Sequence, residues 1–419
     1  MLKIQYLKDE SFLFAGKMWL YSRILLCIAM LLIAPLLPAP ANGVTATFSW
    51  DNFTAWDSYW YKRIINDGYQ FVNNGQEYSV AFFPLYPLLI RGLMFLGLPF
   101  EPSGILINTV GFIGALIILY KWVEERHDKN TARLATAALA WCPMSVYGTV
   151  VYTEGLFLLT TTAALWAFDN KKYTWAAFWG ALSTAARSPG LALIPAFIFV
   201  AWKEKREIKA YLSACFSAVG ILLFSLYCHL KFNDALAFIH VQKAWRSSAG
   251  FAWEAWWKVL QKIFIGPVNV NAGYLKDPWY PLIFLIILIS IYLLWRFRNS
   301  WNSSQVSYGF MTLFFLLWVH GGDPFIKTLY IFGSAYLLWS ERKNIPTVAL
   351  IYGLFSFGLI LNTGLNLSVE RYVYGIISVS YGYGILLAKH PRYTGFSMFF
   401  CALILGIFAV RFSQKIWLS

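Results

Sequence analysis

Charged residues are scarce in this chain of 419 residues. Asp, Glu, Lys and Arg make up 13% of it, whereas hydrophobic residues make up 59% and the mean hydropathy is +0.55. A soluble globule of this length has no interior large enough to hide so much apolar side chain. The composition therefore excludes a soluble protein and predicts an all-α polytopic membrane protein, which we take as a single integral membrane domain over residues 1–419.

Acidic residues are scarcer than basic ones. The chain has 20 Asp and Glu against 34 Lys and Arg, which gives a formal net charge of +14. In a soluble protein this balance would suggest nucleic acid, but here the basic residues fall in short clusters between apolar runs, where they orient helices and contact anionic headgroups. We expect membrane lipids, and no nucleic acid, among the partners.

Cysteines are few, and no Gly-rich phosphate loop of any standard form is present. All five cysteines lie within apolar runs, which indicates neither a disulfide framework nor a zinc site. Without a phosphate loop, a nucleotide-binding domain is not indicated either. We predict no metal-binding residues and no certain cofactor, and leave a divalent cation open.

Apolar runs fill most of the chain. A helix needs about 17 to 25 apolar residues to cross roughly 30 Å of hydrocarbon. The first run resembles a signal peptide because "APA" follows it, but the many later runs favour a retained anchor. The runs give thirteen predicted spans: 18–38, 103–121, 134–150, 152–169, 174–187, 189–202, 208–230, 279–297, 305–320, 324–340, 345–363, 372–388 and 395–412.

Compact basic turns orient these spans. Clusters such as "KWVEERHDKNTAR" at 121–133 and "KEKREIK" at 203–209 belong in the cytoplasm by the positive-inside rule. The long segments 39–81 and 231–278 are then external loops. Segment 82–99 is apolar, yet a full crossing there would invert everything downstream, so we predict a bent or re-entrant helix.

Polar residues at membrane depth are costly, so those present are candidates for function. On the predicted external face they come from distant parts of the sequence, and an acid that takes a proton and cations that hold a phosphate could meet there. For any one of them, an interfacial anchor or a salt bridge between helices is the alternative, and snorkelling to headgroups is the favoured role of Lys62 and Arg63. The candidates are Asp51, Asp57, Glu154, Arg187, Lys243, Arg246, Glu370 and Arg371.

The stretch "FSWDNFTAWDSYWYKRIINDGY" at 48–69 concentrates acids and aromatics after the first span. We predict an interfacial helix with Trp56, Tyr59, Trp60 and Ile64 on its membrane side and Asp57 facing an aqueous cleft, since aromatics suit the membrane interface. Asp57 could instead be the N-cap of that helix.

Several motifs together resemble one family. "WDSYWYKRIINDGY" with "AFFPLYPLL", "CPMSVYGTVVYTEGLF" at 142–157, "AARSPG" at 185–190, "LAFIHVQKAWR" at 236–246 and "ERYVYG" at 370–375 are similar to motifs of the PIG-V family and its prokaryotic relatives. These transferases add the second mannose of glycosylphosphatidylinositol anchors. The chain departs from the pattern at Ser58, Cys142 and Pro189, where the family often has Ala, Ser and Asn.

The resemblance implies a GT-C glycosyltransferase fold with about 13 transmembrane helices and a polyprenyl-phosphate sugar, mannose in this family, as donor. It implies that Asp57 is the general base, with Asp51 as the runner-up and Glu154 orienting the acceptor or tuning Asp57. Carboxylates suit proton transfer and cations suit phosphate charge. The predicted substrate-binding residues are Tyr61, Arg187, Lys243, Arg246, Glu370 and Arg371.

Two other functions stay open. A flippase or transporter would move a lipid-linked sugar without cleaving it, although no convincing internal repeat is visible. A ligase or polymerase would transfer a whole glycan from a lipid carrier. The acceptor is unreadable from the residues and could be a glycan, a lipid or a protein. The short loops favour a bacterial inner membrane, with the active site on its external face.

Overall fold

A computed structural model describes residues 10–245, 250–362 and 368–418. Most residues in these ranges lie in helices, and none lies in a β-strand. The helices are α1 Glu10–Leu36, α2 Asp57–Asp67, α3 Leu85–Phe95, α4 Phe100–Arg126, α5 Lys129–Trp141, α6 Glu154–Asp169, α7 Tyr173–Ala186, α8 Ser188–Lys203, α9 Ile208–Phe232, α10 Ala237–His240, α11 Trp253–Phe264, α12 Pro267–Ala272, α13 Trp279–Arg296, α14 Ser303–Ser340, α15 Thr347–Leu361, α16 Val369–Tyr374, α17 Ile377–Lys389 and α18 Pro391–Ser413.

Among the described residues, six helices are long and apolar enough to cross a membrane: α1, α4, α9, α13, α14 and α18. This makes the chain an integral membrane protein. Helix α14 covers two predicted spans, 305–320 and 324–340, and the six remaining ones overlap shorter helices, so the total of thirteen stays a prediction. Helix α3 has 11 residues and is about 16 Å long, too short to cross a bilayer.

One predicted span, 134–150, is not a continuous helix. Helix α5 ends at Trp141 because Cys142 precedes a proline and is extended, with φ −50° and ψ 133°. The chain then makes a 3₁₀ turn over Pro143–Gly148 and enters α6 at Glu154. The break places the segment 142–153, which contains no α-helix, in the protein interior.

Helices α4 and α6 pack closely beside this segment. A Cβ atom at Gly155 would lie only 2.1 Å from the backbone oxygen of Asn108, so this crossing requires glycine. The Asn108 side chain donates to the carbonyls of Tyr147 and Val150, both at 2.7 Å, and accepts from Gly155 N at 2.6 Å. Asn108 thereby fixes the path of the chain into Glu154.

Arg23 of α1 holds the same segment from the other side. Its guanidinium donates to the carbonyl oxygens of Ser145 at 2.7 Å and Ala140 at 3.2 Å, and to the hydroxyl of Thr149 at 2.5 Å. The side chain is buried, and carbonyls freed by the helix break take the place of a carboxylate partner.

The turns predicted to be cytoplasmic contact one another. Arg126 pairs with Asp169 at 2.9 Å, and Arg206 donates to the carbonyl of Phe168 at 2.5 Å. Lys389 pairs with Glu341 at 2.6 Å. Since α6 has 16 residues and is about 24 Å long, Asp169 lies at the opposite end of the helix from Glu154.

Candidate active site

Four charged side chains from separate elements meet at the end of α6 that carries Glu154. Arg371 Nη2 donates to Asp57 Oδ2 at 2.5 Å, and Arg371 Nε donates to Glu154 Oε1. Arg187 Nη1 donates to the same Glu154 oxygen. We call Asp57, Glu154, Arg187 and Arg371 the Asp57 cluster. Two carboxylates and two guanidiniums leave it with balanced formal charge.

The cluster is buried to different depths. The Glu154 side chain is fully buried, those of Arg187 and Arg371 are 9% and 8% exposed, and that of Asp57 is 15% exposed. Asp57 is therefore the carboxylate best placed to meet a substrate. Glu154 Oε2 is buried without a hydrogen-bond partner, and such an atom carries a desolvation cost.

Aromatic rings surround both arginines. The Arg371 guanidinium lies 4.7 Å from the ring centre of Tyr152 and 5.2 Å from that of Tyr147. The Arg187 guanidinium lies 5.3 Å from the ring centre of Tyr372. The faces of these rings attract the guanidinium groups and exclude water. Without water, the ion pairs between the arginines and the carboxylates are stronger.

Asp57 is the first residue of α2, and Trp56 is the N-cap. No side chain caps this helix, so the alternative of Asp57 as the N-cap is wrong; its carboxylate is used by Arg371 instead. Trp56 has φ 43° and ψ −95°, a conformation that costs energy for a residue with a side chain. This turn directs the chain into the Asp57 cluster.

The inward face of α2 differs from the predicted one. Ser58, Tyr61 and Ile64 are buried, whereas Tyr59 is 61% exposed. Ile64 on the membrane side was thus a wrong prediction, because a helix that begins at Asp57 turns positions 58, 61 and 64 toward the protein. Tyr61 lines the pocket described next.

Two neighbouring cavities share wall residues, and the smaller one reaches the Asp57 cluster. The smaller, of about 190 Å³, is lined by Asp57, Tyr61, Arg187, Arg371 and Trp417 among others. The larger, of about 900 Å³, is a mainly apolar groove that includes Ile221, Leu222 and Leu359. Residues common to both are Phe83, Ser188, Gln242 and Tyr372. A ligand can therefore have one part in the groove and another beside Asp57.

Polar side chains also line the groove. Lys243 and His240 lie on consecutive turns and face it. His240 Nδ1 is 2.7 Å from Asp234 Oδ2, which orients the ring. Lys243 was predicted from the sequence, whereas His240 was not.

Three other predicted residues are placed differently. Asp51 is exposed and its carboxylate accepts from the Ser49 hydroxyl at 3.4 Å, away from the Asp57 cluster. Glu370 lines neither cavity and lies 3.9 Å from Lys327 Nζ. Arg246 lies outside the described residues.

Glu370 is buried although it adjoins Arg371 in sequence. Burial raises the pKa of Glu370 to about 7, and the Lys327 ammonium opposes this shift. Glu370 therefore contributes to the packing of α16 against α14, where it faces Lys327, and not to the lining of either cavity.

In the part of the chain that the structure describes, no three His, Cys, Asp or Glu side chains form a metal-binding group. The carboxylates of the Asp57 cluster are occupied by guanidinium groups. A divalent cation as cofactor stays an untested expectation.

Sequence reasoning missed several residues of the site, including Tyr152, although the quoted motif 142–157 contains it. The Arg371 guanidinium lies over the Tyr152 ring, and the Tyr152 hydroxyl accepts a hydrogen bond from Asp57 N at 3.4 Å. Its position two residues before Glu154, in a polar interruption of apolar sequence, was the available signal. Trp417 and Lys415 follow the last predicted span, where nothing in the sequence points to the site.

The chain matches one family of known proteins by sequence and several solved structures by fold comparison. A family model described as mannosyltransferase (PIG-V) matches residues 29–276, more than half of the chain. No curated protein matches its sequence.

The solved structures that this chain resembles have low sequence identity and TM-scores below 0.5. The apo oligosaccharyltransferase of Archaeoglobus fulgidus is 14% identical with a TM-score of 0.49, over 96% of this chain and 56% of that one. The same enzyme with an inhibitory peptide and a dolichol-phosphate is 15% identical, with a TM-score of 0.47 over 96% and 56%. ArnT from Cupriavidus metallidurans, bound to undecaprenyl phosphate, is 12% identical with a TM-score of 0.41, over 94% and 77%. The chain spans about half the length of the archaeal enzyme.

Proposed function

The chain belongs to the mannosyltransferase (PIG-V) family; from this premise we propose that it is a glycosyltransferase that moves a mannosyl group from a polyprenyl-phosphate donor to an acceptor hydroxyl at the external face of the membrane. One observation carries the proposal: a partly exposed carboxylate, Asp57, lies in a buried arginine cluster where a small polar pocket opens into a large apolar groove. A GT-C architecture is the arrangement we assign to it.

The apolar groove suits the prenyl chain of the donor. Its side chains supply the apolar surface that a hydrocarbon chain needs. Lys243 and His240 on its wall supply hydrogen-bond donors for a phosphate. With the lipid there, the sugar would extend past Ser188 and Gln242 toward Asp57, because both residues border both cavities.

Arg187 and Arg371 support the departure of the phosphate. A guanidinium has five N–H donors, and each arginine uses only some of them on carboxylates. Arg187 directly precedes Ser188, which lies at the junction of the cavities. We assign the remaining Arg187 donors to the phosphate oxygens, which guanidinium groups bind in a bidentate manner.

The reaction is a displacement at the anomeric carbon. The acceptor oxygen forms a bond to C1 while the bond from C1 to the phosphate oxygen breaks, and the phosphate leaves with the electron pair. Asp57 accepts the proton of the acceptor hydroxyl. Arg371 holds the Asp57 carboxylate in place through a charge-assisted hydrogen bond.

Reconstitution tests the proposal. Purified protein in liposomes is given polyprenyl-phosphate mannose with a labelled sugar and an extract of acceptors, and products are identified by mass spectrometry. We expect a labelled hexose on an acceptor and free polyprenyl phosphate. Movement of intact donor across the bilayer without cleavage would contradict the proposal and support a flippase.

The external face has its own test. Cysteines introduced at the exposed positions Gly75, Asn271 and Lys205 are treated in intact cells with an impermeant thiol reagent. We expect labelling at 75 and 271 and none at 205. The reverse pattern would place the Asp57 cluster in the cytoplasm.

A further inference from the structure

The segment 414–418, which follows α18, lies against the loop that leads into Asp57. Gln414 O accepts from Val44 N at 2.8 Å, and Gln414 Nε2 donates to Pro38 O at 3.1 Å. Lys415 Nζ donates to the carbonyl of Asp51 at 2.5 Å and to that of Thr54. One lysine thus holds two backbone groups, the second only three residues before Asp57.

Trp417 continues this contact into the smaller pocket. Its ring packs edge-on against Trp56, with centres 5.0 Å apart, and it lines the pocket together with Asp57. Its carbonyl accepts from Arg411 Nη2 at 3.0 Å, and Arg411 pairs twice with Asp323 at 2.9 Å. Trp417 is therefore anchored at its backbone and at its ring.

Trp56 needs such support. Its φ of 43° is in the left-handed region, where residues with a side chain persist only if their surroundings fix them. Phe412 packs against its ring at 5.3 Å, in addition to Trp417. If these contacts were lost, relaxation of Trp56 would rotate the start of α2 and move the Asp57 carboxylate away from Arg371.

We propose that Lys415 and Trp417 are positioning residues that hold Asp57 in the orientation for proton transfer. The inference rests on the proposed function, because it assumes that Asp57 is the base. Both residues lie outside residues 29–276, the range matched by the family. They act through the backbone of 51–57 and the ring of Trp56, not by contact with the reacting atoms.

Steady-state kinetics with polyprenyl-phosphate mannose test the proposal. A displacement of about 1 Å at a reacting group can cost about 100-fold in rate, so we expect Lys415→Met to lower kcat by about 10- to 100-fold and to leave the donor KM within about 2-fold. Trp417→Ala should do the same, and Trp417→Phe should recover most of the loss because a ring still packs on Trp56. Lys258→Met, an exposed lysine of α11, is the matched control and should keep the wild-type kcat.

Membrane abundance and the thermal unfolding midpoint identify variants that do not fold. If Lys415→Met fails to fold, the two Trp417 variants decide. An unchanged kcat in folded Trp417→Ala, or a rise in donor KM with unchanged kcat, would overturn the proposal. If the wild type transfers no mannose, the proposed function has failed and not the positioning role, so the two failures are distinguishable.

Discussion

The two ends of α6 carry charged clusters that differ in size and in the exposure of their arginines. At one end Glu154 joins the Asp57 cluster, where the arginine side chains are 9% exposed or less. At the other end Asp169, whose side chain is 7% exposed, accepts from Trp122 Nε1 at 2.8 Å and pairs with Arg126, whose side chain is 47% exposed. We call Trp122, Arg126 and Asp169 the Asp169 cluster.

This difference in exposure indicates different roles. A fully exposed ion pair contributes about 0–1 kcal/mol to stability and is screened by salt. The pair of Arg126 and Asp169 is open to solvent on its arginine side only. A buried pair brings a desolvation penalty that can exceed its Coulombic gain, so burial is weak evidence for a stabilising role. The Asp57 cluster lines the smaller cavity and contains a buried oxygen without a partner. We infer that the Asp169 cluster serves helix packing and that the Asp57 cluster serves chemistry.

The largest expected effect is that of Asp57→Asn. Asn keeps the shape but cannot take a proton, so turnover should fall by about 10²- to 10⁴-fold. Asp169→Asn at the opposite end is the matched control and should retain turnover. Asp51→Asn should also remain active, because Asp51 is exposed and outside the Asp57 cluster. A dead Asp51→Asn beside an active Asp57→Asn would make Asp51 the base.

Arg371→Lys should have the next largest effect. Lysine keeps the charge but cannot hold Asp57 and Glu154 together, as the guanidinium does through Nη2 and Nε. We expect kcat to fall by about 100-fold. Arg126→Lys makes the same change in the Asp169 cluster and should leave kcat within about 2-fold. Equal losses in the two variants would remove the functional contrast between the ends.

Arg187→Lys should affect the donor more than the chemical step. One lost hydrogen bond to a charged group costs about 1.5–3 kcal/mol, which is about tenfold or more in affinity. We predict that the donor KM rises by about tenfold in liposomes, with a smaller change in kcat. An unchanged donor KM would exclude Arg187 from the phosphate site.

Glu370→Gln should have the smallest effect, and the effect should depend on pH. The pKa of Glu370 is about 7 in the folded protein against an ordinary value of 4.5. The folded state therefore binds a proton that the unfolded state releases, so this residue's contribution to stability falls as pH rises from about 5 to about 7. Glu370→Gln should remove that slope, a change of about 4 °C in the unfolding midpoint across that pH range. Parallel pH curves for variant and wild type would contradict the assignment.

Much of the Asp57 cluster could be predicted from the sequence because its residues are costly in apolar surroundings. Asp57, Glu154, Arg187 and Arg371 interrupt apolar runs on one predicted face, and family motifs contain them. Their pairing was not predictable, since it depends on how α2, α6 and α16 pack. The sequence predicts that Arg187 and Arg371 bind the substrate phosphate. In the structure both arginines also donate hydrogen bonds to Glu154.

Other features depended on signals that hydropathy does not carry. The break after Trp141 was marked by Cys142 and Pro143, yet the apolar run continued through it and gave one span. The inward turn of Ile64 depends on the residue at which α2 begins. Trp417 reaches the pocket through tertiary contacts with Trp56 and Arg411, and no local pattern of the sequence encodes those contacts.

The central claim is that a lipid-linked sugar binds across the two cavities with its anomeric carbon at Asp57. Electron cryo-microscopy of the Asp57→Asn variant with polyprenyl-phosphate mannose tests this most directly, because the variant should bind donor without consuming it. We predict prenyl density in the groove beside Ile221 and Leu222, phosphate density at Ser188 and Gln242, and the sugar beside position 57. Donor density at the Asp169 end of α6, or a phosphate placed away from Ser188 and Arg187, would contradict the account.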